Sequence, residues 1–181
     1  MNSEYIQASN NFCEFIEKIR IINENERNNL FRKFIRCIFK YSAEYVDKYE
    51  YIWLYDEIPL NIIKDLGLEY SYKGIDLILL SKDKKYYYVQ CKYKMNPHKY
   101  KHKHKHISFT EIPMIYELLS LNHNFDGGFI VTNINEIIKI FGSNELVESS
   151  NKYKLKTNKI TIISDEFLCN LPKSFFNTLK L

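Results

Sequence analysis

The sequence predicts an α/β fold in which a small mixed β-sheet carries helices on both faces. The first 50 residues place apolar side chains at helical spacing, short runs of branched and aromatic residues follow, and helical segments separate the later runs. At 181 residues the chain is long enough for a single domain with its own hydrophobic core. We divide that domain into N-terminal helices over 1–50 and a core region over 51–171.

Two helices are predicted between residues 10 and 49. The polar segment 23–29 separates them, although 24–27 could equally begin the second helix. The apolar residues at helical spacing are Phe12, Phe15, Ile16, Ile19, Leu30, Phe31, Phe34, Ile35 and Ile38.

Three strands are predicted next. The first covers 51–55 and stops at Pro59, since proline cannot continue a strand ladder. The second and third, 75–80 and 88–92, flank the polar segment 81–84 and form a hairpin. The later elements are a helix over 110–121, a strand over 127–132, a short helix over 135–141, a loop over 149–158, a strand over 160–163, and a helix capped by Asp165 with a final helical turn after Pro172.

Composition narrows the class of protein. Four scattered cysteines without Cys-x-x-Cys spacing predict small buried hydrophobes in a reducing compartment. The N-terminus lacks a basic segment followed by an apolar one, and no apolar run approaches membrane-spanning length. We therefore expect a soluble intracellular protein without a membrane partner. The formal net charge of +4 is modest, but lysines concentrate between 82 and 105, where a polyanion could dock.

The hairpin assembles one acid, one amide and one lysine. Side chains alternate along a strand, so Gln90 and Lys92 share a face while Val89 and Cys91 point into a core. The turn brings Asp76 back beside Gln90 and Lys92. An edge salt bridge between Asp76 and Lys92 would explain the charges, but an acid in an otherwise apolar run is costly to desolvate and favours a functional role.

These residue types suit a magnesium site. Hard cations prefer oxygen ligands and are typically held by one or two carboxylates together with substrate phosphate. Asp76 supplies a carboxylate, Gln90 an amide oxygen, and Cys91 its backbone carbonyl. Lys92 would then stabilise developing negative charge or lower the pKa of an attacking water.

The segment 99–106 alternates lysine with histidine and is the one low-complexity stretch of the chain. It has three interpretations: a solvated loop, a phosphate-contacting arm, or metal capture by histidines. The arm would use Lys101, Lys103 and Lys105; metal capture would use His102, His104 and His106, where the flanking lysines would repel a cation.

The hairpin motif resembles the PD-(D/E)xK nuclease superfamily. Gly74-Ile75-Asp76 followed by Val89-Gln90-Cys91-Lys92 is similar to the Gln-x-Lys variant of Mrr-type restriction enzymes. Blocks at 51–59, 66–68, 73–78, 88–93, 107–112 and 128–133 further resemble the N-terminal nuclease domain of type ISP restriction enzymes and its viral and helicase-linked relatives, over roughly 28–171.

The resemblance implies a restriction endonuclease-like core, with 51–171 as the catalytic core. It implies metal-dependent DNA phosphodiester hydrolysis using Mg²⁺ or Mn²⁺. Asp76, Gln90 and Lys92 take catalytic roles, Asp76, Gln90 and the Cys91 carbonyl hold the metal, and Glu57 is an additional catalytic acid and metal ligand. The alternative is a noncatalytic DNA-binding or assembly protein on a degenerate nuclease scaffold.

Two departures from the family pattern stand out. Where relatives carry Phe-Glu on the helix before the first strand, this chain has Phe31-Arg32. Arg32 could bind phosphate, together with Lys94 and the lysines of 99–106, or Glu26 could replace the missing acid. The chain also lacks helicase and methyltransferase parts and a Gly-x-x-x-x-Gly-Lys loop, so ATP-driven activity would require a motor partner. A homodimer would provide two centres for cutting a duplex.

Overall fold

A computed structural model of the protein describes residues 4–68, 74–95, 124–133 and 160–180. Within these ranges the predicted α/β fold is confirmed: the strands form one mixed sheet in the order β1-β2-β3-β4-β5. The strands are β1 Tyr49–Leu54, β2 Leu77–Ser81, β3 Tyr86–Lys92, β4 Phe125–Thr132 and β5 Ile160–Ile163. The helices are α1 Glu4–Gln7, α2 Phe12–Ile19, α3 Glu24–Tyr41, α4 Leu60–Asp65, α5 Asp165–Cys169 and α6 Lys173–Thr178, with a 3₁₀ turn over Tyr55–Glu57.

The sheet changes direction at β3. β2 pairs antiparallel with both β1 and β3, and Leu77 lies opposite Val89. β3 and β4 run parallel, as do β4 and β5. The predicted hairpin is therefore confirmed. β3 lies between β2 and β4, and its last three residues, 90–92, pair with β4 beyond the point where the pairing with β2 ends.

The start of α3 is fixed by a side-chain cap. The Glu26 N–H donates to Asn23 Oδ1 at 3.0 Å, which satisfies one of the amides that a helix leaves unpaired in its first turn. The second helix thus begins at Glu24, as one of the two sequence alternatives proposed.

Helices cover both faces of the sheet. On one face, α2, α3, α5 and α6 pack with the sheet into what we call the aromatic core. Phe34 lies at its centre, with ring contacts to Phe12, Phe15, Phe175 and Phe176. On the other face, Ile63 of α4 packs with a second core that includes Ile78, Tyr88 and Ile130.

Several local predictions require correction or lie outside the described residues. α4 was not predicted; Pro59, read as a strand terminator, is the residue from which this helix begins. Ser164, not Asp165, occupies the N-cap position of α5, and Asp165 lies in the first turn, where a carboxylate interacts favourably with the helix dipole. The predicted segments 110–121, 135–141 and 149–158 fall outside the described residues.

The cysteine prediction was wrong in part. Cys13 and Cys169 are exposed, and their sulfurs lie 3.8 Å apart where α2 meets α5. Cys37 and Cys91 are half-buried. An amphipathic helix buries only one stripe, so a cysteine on its flank remains accessible. No helix in the described parts of the chain is long and apolar enough to cross a membrane.

Candidate active site

Asp76 is held by its backbone at the end of the antiparallel pair. Its N–H donates to the Val89 carbonyl at 2.8 Å, and its carbonyl accepts from the Tyr55 N–H at 3.1 Å. These two bonds continue the ladder one residue before β2 begins. The position of the side chain is therefore set by three adjacent segments of backbone.

The Asp76 carboxylate has a different partner on each oxygen. Oδ2 accepts the Cys91 backbone N–H at 2.6 Å, and Oδ1 lies 2.7 Å from Arg32 Nε. The side chain of Asp76 is 11% exposed, whereas that of Arg32 is 46% exposed. Arg32 thus reaches from α3 to a carboxylate that is largely removed from water.

Burial raises the pKa of the Asp76 carboxyl above its ordinary value. The Arg32 guanidinium, the Cys91 amide and Lys92 act in the opposite direction without cancelling this effect. A buried acid whose pKa is raised despite three favourable neighbours is a candidate functional group, because the folded chain does not fully compensate its charge.

The face of β3 opposite the aromatic core carries Gln90 and Lys92. Val89 belongs to the aromatic core and Cys91 packs against it, while Tyr88 belongs to the second core. Gln90 lies between Val89 and Cys91, so its side chain points to the opposite face, the one that carries Tyr88, and it is 3% exposed. Its Oε1 is buried and has no hydrogen-bond partner within the part of the chain that the structure describes.

Cys91 contributes its backbone rather than its thiol. Burial raises the pKa of the Cys91 thiol well above its ordinary value, so the sulfur stays protonated and is a poor metal ligand. The N–H and C=O of one strand residue point to the same side, and the Cys91 N–H points to Asp76. The Cys91 carbonyl is accordingly expected on the Asp76 side of β3.

Glu57 is bound by a second arginine of α3. Arg36 Nη1 lies 2.8 Å from Oε1 and 2.6 Å from Oε2 of Glu57, and the Leu54 N–H donates weakly to Oε2 at 3.4 Å. No contact between this carboxylate and Asp76 or Gln90 occurs among the described residues. The structure joins Asp76 to the backbone of Cys91, the neighbour of Gln90, and pairs Glu57 with Arg36.

Two arginines of α3 make the same kind of contact with the candidate acids. Arg32 and Arg36 are four residues apart, so they lie one turn apart on the same side of α3, and each pairs with one candidate acid. Lys92 adds a third cation within electrostatic range of Asp76. Three cationic side chains therefore act on two carboxylates.

Glu26 does not replace the missing acid. Its carboxylate accepts from Asn23 Nδ2 at 2.6 Å in the first turn of α3. It lies six residues before Arg32, which corresponds to about 9 Å along a helix. This carboxylate belongs to the helix cap and lies away from Asp76.

Sequence reasoning missed two polar residues at the end of β4. Thr132 lies opposite Lys92 in the parallel register and is fully buried, and its Oγ1 has no partner among the described residues. Asn133 bonds both backbone groups of Lys94: its Oδ1 accepts from the Lys94 N–H and its Nδ2 donates to the Lys94 carbonyl, each at 2.8 Å. The sequence feature that could have identified them is the pair of polar residues that follows the apolar run 129–131.

The donor set fits a hard cation in part. No group of three or more His, Cys, Asp or Glu side chains close enough to hold a metal ion is found within the described ranges. A site there must combine the Asp76 carboxylate with neutral oxygens, namely the Cys91 carbonyl and the unpartnered Gln90 Oε1. Carbonyl and carboxylate oxygens are ligands that suit Mg²⁺ and Mn²⁺.

Two of the residues predicted to contact DNA, Arg32 and Lys94, lie within the described ranges. Arg32 lies on Asp76, and Lys94 has its backbone fixed by Asn133. Lys101, Lys103 and Lys105 lie outside the described residues, as do His102, His104 and His106.

The chain matches no family model and no curated protein. It is similar in structure to the ATP-dependent type ISP restriction–modification enzyme LlaBIII bound to DNA, with a TM-score of 0.58 at 20% sequence identity. The likeness covers 89% of this chain but 8% of that enzyme. The chain therefore has a fold related to one part of a restriction enzyme.

Proposed function

We propose that the protein is a metal-dependent DNA endonuclease of the Mrr-like PD-(D/E)xK type, hydrolysing phosphodiester bonds. The observation that carries this proposal is the buried Asp76 carboxylate bonded to the Cys91 amide and within electrostatic range of Lys92. Gln90, the residue before Cys91, has a buried oxygen without a partner among the described residues. The fold shared with part of a type ISP enzyme supports it.

Asp76, Gln90 and the Cys91 carbonyl would hold Mg²⁺ or Mn²⁺. When bound, such an ion polarises a phosphoryl oxygen and makes water a better nucleophile. Asp76 is kept in one orientation by its backbone bonds and by the Cys91 N–H, so it enters the reaction preorganised. Lys92 supplies positive charge where negative charge develops on the phosphate oxygens.

Substrate binding would depend on cations around this centre. The contact of Arg32 with Asp76 uses Nε, one of five N–H donors of a guanidinium, and the half-exposed side chain can present the others to a phosphate. Lys94, Lys101, Lys103 and Lys105 are proposed as further phosphate contacts, whose contribution to affinity should fall with salt. Glu57 would act as a second ligand only after release from Arg36.

A noncatalytic DNA-binding scaffold is the second candidate. The observation that favours it is that both acids already have arginine partners, which leaves less negative charge for a metal ion to neutralise. Such a protein would bind DNA in a salt-dependent way but would not cut it.

Cleavage of supercoiled plasmid and of a labelled single strand with Mg²⁺ or Mn²⁺ separates the two candidates. We expect metal-dependent nicking by the parent, reduced at least about 100-fold in Asp76→Ala and Lys92→Ala, the range of loss for a positioned catalytic group. Lys173→Ala is the matched control, since Lys173 is an exposed lysine of α6 that lies outside the 82–105 lysine cluster and has no proposed role in the site.

DNA affinity is measured in parallel on the same proteins. Cleavage at the parental rate by both site variants would refute the proposed centre. DNA binding without cleavage by the folded parent would instead identify the noncatalytic scaffold.

A further inference from the structure

Arg32 forms an ion pair with the Asp76 carboxylate, which is the main ligand of the proposed metal site. Its Nε lies 2.7 Å from Asp76 Oδ1, while Oδ2 accepts the Cys91 N–H. Both oxygens are therefore engaged by donors from the protein itself. Asp76 also accepts a hydrogen bond from the backbone of β3, where the other candidate ligands lie.

A guanidinium and a divalent cation oppose each other at one carboxylate. A carboxylate has about four lone-pair positions, so Arg32 does not fill every coordination direction of Asp76. Like charges within a few ångströms nevertheless repel, and they do so more strongly where water is largely excluded, as it is at Asp76. Metal binding and the Arg32–Asp76 contact should therefore weaken each other.

We propose that Arg32 competes with the divalent cation for Asp76 and thereby lowers the metal affinity of the free protein. This inference rests on the proposed function, because it takes Asp76 as the metal ligand. Arg32 acts here as a positioning residue that holds Asp76 in place when no cation is bound and must loosen its contact when one binds.

The neighbouring pair shows why the effect is assigned to Arg32. Arg36 contacts Glu57, whose side chain is 45% exposed, and water screens charges at such a site. The Asp76 side chain is far less exposed. Removing Arg32 should therefore change the charge balance at the ligand itself, whereas removing a solvated cation elsewhere on α3 should have little effect.

Calorimetric titration of the DNA-free protein with MnCl₂ tests the competition without using activity as the readout. We expect Arg32→Gln to bind Mn²⁺ at least about tenfold more tightly than the parent, since a shared carboxylate would be released. Asp76→Asn combined with Arg32→Gln should abolish that gain. Lys33→Gln is the matched control: it removes one positive charge from the adjacent residue, which has no ion pair among the described residues, and should leave the affinity unchanged.

Two results would overturn the inference. One is that Arg32→Gln binds Mn²⁺ no more tightly than the parent, which includes the case in which neither protein binds detectably. The other is an equal gain in Mn²⁺ affinity in Lys33→Gln. Circular dichroism checks that each variant is folded, and Arg32→Lys, which keeps the charge, should restore the weaker affinity.

The same measurements distinguish a failure of this inference from a failure of the proposed function. Tighter Mn²⁺ binding by Arg32→Gln without cleavage by any variant would refute the nuclease alone, whereas Asp76-dependent cleavage with unchanged metal affinity would refute the competition alone.

Discussion

The two faces of the sheet are built on different principles. Towards α3 the buried side chains of the sheet are mainly apolar, with Leu77, Val89, Phe129 and Val131 among them. On the opposite face, buried polar residues follow apolar ones towards the ends of β3 and β4. Gln90 Oε1 and Thr132 Oγ1 are buried there, and neither has a hydrogen-bond partner in the described part of the protein.

The contrast distinguishes side chains that stabilise the fold from side chains that we propose bind a ligand. Burying apolar surface drives folding, whereas a buried polar group without a hydrogen bond is destabilising. Within the described residues, Gln90 Oε1 and Thr132 Oγ1 lack hydrogen bonds that a ligand would supply under the proposed function. The apolar face thus stabilises the packing of the strands, and the mixed face is the one on which we propose that a ligand binds.

The largest expected effect breaks the apolar face. Phe34→Ala would remove a fully buried ring in contact with four other phenylalanines and leave a cavity. We expect the free energy of unfolding to fall by about 3–5 kcal/mol, measured by urea denaturation. Ile21→Ala, at a side chain that is 85% exposed, is the control and should change stability by less than about 0.5 kcal/mol.

A smaller effect, of opposite sign, is expected on the mixed face. Thr132→Val replaces a buried hydroxyl that has no partner among the described residues with a methyl group of similar size, so the free energy of unfolding should stay level or rise by about 1 kcal/mol. Thr161→Val is the exposed control on β5 and should be near neutral. A loss above about 1 kcal/mol in Thr132→Val would show that the hydroxyl is satisfied and that the contrast between the faces is overstated.

The smallest effect is a pH dependence at Asp76. Because its folded-state pKa is raised, the native state holds its proton more tightly than the unfolded state does. The parent should lose stability relative to Asp76→Asn as pH rises from the ordinary aspartate pKa of 3.8 through the raised value. Paired urea titrations at several pH values measure the difference; a difference that moves in the other direction would show that Arg32 outweighs burial.

Part of this organisation could be predicted from the sequence. The period of two along β3 assigned Val89 and Gln90 to opposite faces, and the polar turn at 81–84 implied the hairpin that carries Asp76 to β3. The sharp Gln-x-Lys motif then indicated which residues to consider. α4 escaped prediction because its six residues are too few for a periodic signal.

The arginine pairing was decided by tertiary structure alone. Arg32 and Arg36 lie one turn apart on α3, and Arg36 meets Glu57 across 21 residues while Arg32 meets Asp76 across a still longer stretch. Such contacts depend on how α3 packs over the sheet through its buried phenylalanines. Local periodicity sets which face a side chain occupies, whereas the partner on that face is set by the packing of segments far apart in the chain.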